Sequence, residues 1–513
     1  MSKGETNQTE SKGFLNRIER IGNKLPHPVV LFIILAVIVI IISDIAMRNG
    51  LTVSYFDSQA GEQVTVAAES LLSREGISYI FNNAVTNFTG FAPLGTVLVT
   101  MLGVGVAEWS GFIGTGLKRV IQSVPDNLLT MVVVFAGVMS SIASDAGYVV
   151  VIPLGAIVFA SAGRHPIAGL AAAFAGVSCG FSANLLIGPN DALLTGITNA
   201  ALSSAGIDYE MSVTGNWYFM IASTFLLTII GSIVTTKIIE PRLGEYTGEY
   251  KPENEAITDR ESKGLRNALI ALLIAVVALA FMLVPENGIL RTLDPETGQM
   301  TIDAFMGNGF IFTIFLLFLI PGVTYGITIG KIKNTNDFVE GMVESMGTMS
   351  NYIVLAFFAA QFINYFSFSN LGTILSVNGA SFLESVNFTG FPLILAFIIL
   401  AMFLDLFLGS ASAKWAIMAP IFVPMLFQLG LTPELTQASY RIADSVVNII
   451  TPLMSYFPMV LVFMKRYDKD SGLGTLVSTM LPYSIAFFIS WVALLAIWYF
   501  FNIPLGPGAS IAF

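Results

Sequence analysis

Six charged side chains stand inside runs that are otherwise apolar: Asp145, Asp191, Asp405, Lys414, Arg441 and Asp444. An ionised group at the centre of a bilayer costs at least about 2.5–3.5 kcal/mol even on the most lenient scale, so each needs a partner or a task. Arg441, Asp444, Asn448 and Thr451 follow one another at intervals of three, four and three, which puts them on one helical face. Such a stripe turns inward, away from lipid. It either contains a structural Arg441–Asp444 pair one turn apart, or offers a carboxylate beside an amide and a hydroxyl to a proton or to Na+. Lys414 and Arg441 are of the types that hold carboxylate groups. Trp415, next to Lys414, is either a packing or interface residue or a platform for an aromatic solute.

The elements that carry these residues are broken ones. Ser140, Ser141, Ser144 and Asp145 interrupt an apolar stretch at 126–162, and Gly409, Ser410 and Ser412 interrupt another at 391–428. Each is followed by a span with a proline-marked break, Ser182 to Asp191 in one and Asn448 to Pro452 in the other. Proline removes a backbone donor and frees a carbonyl one turn earlier. Non-helical backbone survives at membrane depth only where protein or a wet cavity satisfies it, so the interrupted stretches read as re-entrant hairpins. Hairpin tips and broken spans meeting near the midplane make a solute site, with helix N-termini for anions and freed carbonyls for cations.

Composition agrees with a membrane chain. Of 513 residues 55% are hydrophobic and 11% charged, against roughly 25% charged in soluble domains. A net charge of -10 without basic clusters excludes a nucleic-acid partner. The lone Cys179 builds neither a disulfide framework nor a thiolate metal site. His27 and His165 both adjoin prolines and are too few for a metal cluster, which argues against an intramembrane enzyme. Gly326 to Ile332 has three residues where a phosphate loop needs four, and no Ser or Thr after Lys331. No cofactor is expected; the energy source is an ion gradient, with H+ or Na+ as the coupling ion.

The resulting expectation is an all-α polytopic membrane protein with nine transmembrane helices plus two re-entrant helical hairpins in an inverted-topology repeat. The spans fall near 28–48, 91–116, 166–200, 215–237, 266–285, 304–329, 350–375, 433–464 and 475–502. The chain divides into a cytoplasmic tail at 1–27, a first half at 28–237, a charged cytoplasmic linker at 238–265 and a second half at 266–513. The run beginning at Pro28 is longer than the core of a signal peptide and reads as a retained anchor. With the N-terminus inside and the C-terminus outside, only Arg48, Arg74 and Arg291 of the 24 Lys and Arg residues fall outside; Lys414 and Arg441 lie within the membrane. That bias obeys the positive-inside rule, and counting either hairpin as one span would spoil it. Pro153 and Pro420, like Pro166 and Pro433, stand 267 positions apart, a weak internal similarity.

The segments Gly180 to Leu194 and Gly409 to Pro420, followed by Tyr440-Arg441-Ile442-Ala443-Asp444-Ser445, resemble the aminobenzoyl-glutamate transporter (AbgT) family from about residue 14 to the C-terminus. The resemblance implies a homodimer within the ion-transporter superfamily that includes dicarboxylate/sodium symporters, in a bacterial inner membrane. It implies solutes of the p-aminobenzoyl-glutamate type, or sulfonamide efflux in some members. It places Asp191, Ser412, Trp415, Pro433, Arg441 and Asp444 around the site. The Ser-Asn-Thr tip signature of the dicarboxylate symporters is missing, with Ser-Asp-Ala at 144–146 and Ser-Ala-Ser at 410–412 instead, so their two-sodium site does not carry over. Asn184, Asn190, Ser410, Ser412, Lys414, Trp415, Pro433 and Arg441 are the expected solute contacts. Ser144, Asp145, Asp191, Asp444, Asn448 and Thr451 are the expected coupling residues, with Na+ near Asp191 or Asp444. The rival readings are a dicarboxylate/Na+ symporter and, from another class, an ion or solute channel.

Overall fold

A stretch of about 20 apolar residues in hydrocarbon must satisfy its own backbone, and the helix is the solution open to a single segment. The computed structural model describes residues 28–57, 62–122, 125, 128–143, 147–248, 256–293, 300–302, 305, 309–451, 454 and 456–513. The expected tail at 1–27, and Ser144 and Asp145, lie outside the described residues. The first half comprises α1 (Pro28–Arg48), α2 (Arg74–Thr89), α3 (Ala92–Trp109), α4 (Phe112–Gln122), α5 (Leu129–Met139), α6 (Ile152–Ser161), α7 (Pro166–Phe174), α8 (Pro189–Ser204), α9 (Trp217–Val234) and α10 (Glu240–Leu243). The second comprises α11 (Asp259–Leu283), α12 (Phe310–Ile329), α13 (Thr335–Thr348), α14 (Ser350–Phe368), α15 (Leu371–Ser385), α16 (Gly390–Asp405), α17 (Ala411–Gln428), α18 (Pro433–Val447), α19 (Phe457–Lys465) and α20 (Leu473–Phe501).

Among the described residues, seven continuous helical segments are long and apolar enough to cross a membrane. Two expected spans are each split, as α7 and α8 and as α18 and α19. Another departure lies at 91–116: α3 ends at Trp109, and Gly111 takes φ +91° before α4 begins. A left-handed residue cannot continue an α-helix, and glycine tolerates it best. The span expected at 350–375 likewise ends at Phe368, where Asn370 is left-handed (φ 58°). Two short antiparallel ribbons interrupt the all-helical plan, β1 (Thr52–Asp57) with β2 (Glu62–Ala67), and β3 (Thr292–Leu293) with β4 (Met300–Thr301). Ser54 and Thr65 face each other across the first at 2.7 Å, a cross-strand hydroxyl pair of the kind that stabilises ribbons.

Helices around the breaks pack with backbones nearly touching. A Cβ on Gly155 of α6 would lie 2.6 Å from the Gly169 carbonyl oxygen of α7, and one on Gly137 of α5 would lie 2.9 Å from the Gly176 Cα. Small residues permit this approach, and dispersion between backbones then takes the place that water exclusion has in soluble cores. At the open end of the first interrupted stretch, Arg164 donates to both carboxylate oxygens of Glu240 at 2.8 Å and to Thr130 at 2.7 Å. Its guanidinium also lies over Phe159.

The next residue, His165, caps α7 by accepting the Ile167 N–H on Nδ1 at 3.2 Å. Burial holds its imidazole below the usual histidine range, against the opposing pull of the Asp468 and Glu240 carboxylates. The folded state therefore prefers the neutral ring, so its contribution is complete above the ordinary histidine pKa of about 6.5 and is lost as pH falls through the lower folded value. Hydrogen exchange over residues 167–170, corrected for its intrinsic pH dependence, should show the start of α7 opening more readily as pH falls. His165→Asn, a capping residue that does not titrate, should flatten this dependence. An unchanged pH profile in that variant would refute the assignment.

Candidate functional site

Three helix ends and one helix face bring the charged residues together. At the start of α8, Gly188 is the N-cap, Pro189 fills the position where a missing N–H costs nothing, and Asp191 Oδ2 accepts the Gly188 N–H at 2.8 Å. The other oxygen of Asp191, Oδ1, lies 2.6 Å from Arg441 Nη2 on α18. At the end of α16, Asp405 pairs with Lys414 in the first turn of α17. Lys414 Nζ also lies 2.7 Å from Asp444 Oδ1, one turn beyond Arg441. Arg441 and Lys414 are each 1% exposed, Asp444 2% and Asp405 0%.

The pairing differs from the i,i+3 alternative read from spacing. Arg441 faces Asp191 of the first half, not Asp444, and Asp444 turns to Lys414. Lys414 reaches both Asp405 and Asp444, which a cation between two carboxylates does at lower electrostatic cost than either pair alone would. The cluster is not saturated. Arg441 Nε, Nη1 and Nη2 have no aligned hydrogen-bond acceptor among the described residues, and neither do the hydroxyls of Ser178, Ser182 and Thr195. Buried donors left this way are costly, and a guanidinium with open donors is suited to a carboxylate ligand.

The two breaks are fastened to the interrupted stretches in corresponding ways. Asn184 Nδ2 donates to Ser141 Oγ at 3.2 Å, and Thr451 Oγ1 donates to the Leu406 carbonyl at 3.2 Å. Asn184 and Thr451 stand 267 positions apart, the same interval as Cys179 and Val446, which are themselves in contact through Cys179 Sγ and the Val446 carbonyl. Phe174 occupies the position equivalent to Arg441 and packs edge-on against Phe457 at 6.3 Å. A symmetric frame thus carries aromatic packing on one side and the ion pair on the other.

Other expected contacts are placed differently. Trp415 is 0% exposed, stacks on Tyr440 with centroids 4.5 Å apart, and donates its indole N–H to Thr198 Oγ1 at 3.0 Å. Thr198 in turn donates to Gln437 Oε1 at 2.6 Å, and Gln437 to Asn216 Oδ1 at 3.1 Å. In this conformation the ring is held by protein on all sides. Pro433 is the first residue of α18, capped by Thr432 and adjoining the segment around Ile511, about 12 Å along the helix from Arg441 at 1.5 Å per residue. Ser410 caps α17 with Ser412 Oγ 3.4 Å from its own hydroxyl. Asn190 is partly buried beside Asp191, and Asn448 is buried at the C-cap of α18. Two residues were not among the expected contacts: Asp405, signalled by its charge in an apolar run, and Tyr440, whose hydroxyl donates to the Ala411 carbonyl at 2.5 Å.

Apolar helices of membrane length around a buried, partly unpaired charge cluster define an all-α membrane transporter. Sequence comparison makes the class specific: a profile of the AbgT putative transporter family matches residues 13–513, and the chain belongs to that family. It is 40% identical, over 96% of its length and 95% of the relative's, to the p-aminobenzoyl-glutamate transport protein of Escherichia coli (strain K12). Its fold matches the YdaH transporter of Alcanivorax borkumensis with a TM-score of 0.87 and 42% identity, covering 94% of this chain and 100% of that one. It also matches MtrF of Neisseria gonorrhoeae, described as illuminating a class of antimetabolite efflux pumps, with a TM-score of 0.90 and 46% identity, covering 97% and 100%. These relatives are transporters, not enzymes.

Proposed function

We propose that this chain is an ion-gradient-driven secondary transporter of p-aminobenzoyl-glutamate or related aromatic, sulfonamide-like solutes. The observation that carries the reading is the fully buried Arg441, anchored to Asp191 through one nitrogen while its remaining donors have no acceptor. A glutamate-type carboxylate supplies two acceptors in the plane a guanidinium presents. The solute named for the Escherichia coli relative has such a group. Coupling follows from the charge count: three carboxylates, Asp191, Asp405 and Asp444, surround two cations, Lys414 and Arg441. One H+ or Na+ neutralises the set, which favours its entry with the solute, and Asp191 and Asp444 are the groups we assign to it.

In this reading the chain has nine spans, two of them broken, and two re-entrant hairpins centred on α5–α6 and α16–α17. The halves form an inverted repeat, supported by the recurring interval of 267 and the contact between Cys179 and Val446. The hairpin-bearing bundle moves against a scaffold that dimerises, in an inner membrane with the N-terminus cytoplasmic. Uptake of labelled p-aminobenzoyl-glutamate into proteoliposomes, with a pH gradient or a Na+ gradient imposed separately, tests the proposal. Saturable accumulation under one gradient is expected and names the coupling ion. No accumulation under either, from vesicles holding folded protein, would overturn the assigned solute; flux without saturation or a coupling ion would indicate a channel.

A further inference from the structure

The ring-binding element of a transporter for aryl solutes has to be a planar face that can be vacated without dismantling the fold. Trp415 does not meet that condition, because its stack on Tyr440 and its indole hydrogen bond to Thr198 are both part of the contact between α17 and α8. The residue 267 positions earlier is Tyr148, at the corresponding place on the returning arm of the first interrupted stretch. Its ring lies parallel to that of Tyr456, with centroids 4.3 Å apart and an interplanar angle of 13°. Tyr148 is buried, whereas Tyr456 is partly exposed. Tyr456 directly precedes α19, at the end of the second break. The stack therefore bridges the first interrupted stretch and the break of the other half.

We propose that Tyr148 and Tyr456 form an aromatic clamp that grips the aryl ring of the transported solute. The inference rests on the transport reading above and deepens it by assigning the ring contact. A parallel pair of phenols exposes to an incoming ring the same kind of face that it already uses on itself. Exchanging a Tyr–Tyr stack for a Tyr–aryl stack conserves most of the contact, so the pair can open on one side and close on a ligand. The two halves then divide the work. The aromatic residue at 415 is fixed packing, its counterpart at 148 belongs to a separable stack, and Arg441 supplies the carboxylate contact.

The test is equilibrium binding to the full chain in detergent with two ligands that share an acyl-glutamate head, p-aminobenzoyl-glutamate and N-acetyl-glutamate. Wild type should prefer the aryl ligand. Tyr148→Leu or Tyr456→Leu should cut that preference about tenfold while leaving N-acetyl-glutamate binding unchanged, and Tyr148→Phe or Tyr456→Phe should restore it. Should Tyr148→Leu fail to fold, Tyr456→Leu, at the partly exposed ring, carries the test alone. If wild type prefers the aryl ligand and the Leu variants prefer it equally, the clamp is wrong and the transport reading stands. If wild type binds neither ligand, the transport reading falls and takes the clamp with it.

Discussion

Arg441→Ala is expected to abolish uptake and to cost about 3–5 kcal/mol of stability, the scale for removing one partner of a buried ion pair. The loss has two parts that can be separated. Alanine leaves Asp191 without its cation, although that carboxylate keeps the Gly188 N–H bond that starts α8. Arg441→Lys keeps a cation within reach of Asp191 but gives up the planar fork, so it should restore much of the stability and little of the solute affinity. Asp191→Asn keeps an oxygen for the cap and removes the charge, which leaves Arg441 as the uncompensated partner. Denaturation midpoints of the two single variants and the double variant close a cycle. A coupling energy near zero would mean that the 2.6 Å approach is not an energetic pair. Arg441→Lys with full solute affinity would remove the bidentate argument on which the proposed function rests.

How far the sequence carried the fold depended on what each segment had to do. Continuous spans such as α11 and α20 are legible because bilayer thickness alone sets their length. Asp259–Leu283 also begins with a readable capping box, in which Thr258 and Glu261 exchange backbone and side-chain hydrogen bonds. The helix α2 was missed because Asn82, Asn83 and Asn87 dilute its hydropathy, and only its packing against α14, through Asn87 and Gln361, explains it. The end of α3 was missed for a different reason. Gly111 looks like the neighbouring glycines that permit close helix packing, and nothing local says that this one takes a positive φ.

The site shows the same division. Charges in apolar runs announce themselves because hydrocarbon makes each one costly, so Asp191, Lys414, Arg441 and Asp444 were found one by one. Their pairing was not legible, since helical spacing offers Arg441 a partner one turn away while the true partner sits on α8 in the other half of the chain. Trp415 shows the limit most clearly. A tryptophan beside a lysine reads as a stacking platform, yet Thr198 and Tyr440, which enclose it, come from two different segments. Tyr148 carried no local signal at all. The interval of 267, applied residue by residue from Trp415, would have singled it out.

Lys414→Met should be the most revealing single change on the second-half side of the cluster. Methionine approximates the volume of the lysine stem, so cavity effects are small, but Asp405 and Asp444 then share a dry site with no cation between them. We expect a loss of about 3–5 kcal/mol, largely recovered by adding Asp405→Asn, which removes the excess charge. The single variant also turns the cluster into a sensor for the coupling ion. A cation that binds the folded state only stabilises it by RT ln(1 + [L]/Kd), so its melting temperature should rise with the ion that fits and not with others. Melting curves in matched NaCl, KCl and choline chloride make the comparison. A rise specific to Na+ would place that ion between Asp405 and Asp444. Equal curves in all three salts would leave the proton as the neutralising ion, and native stability without Lys414 would show that the two carboxylates do not depend on it.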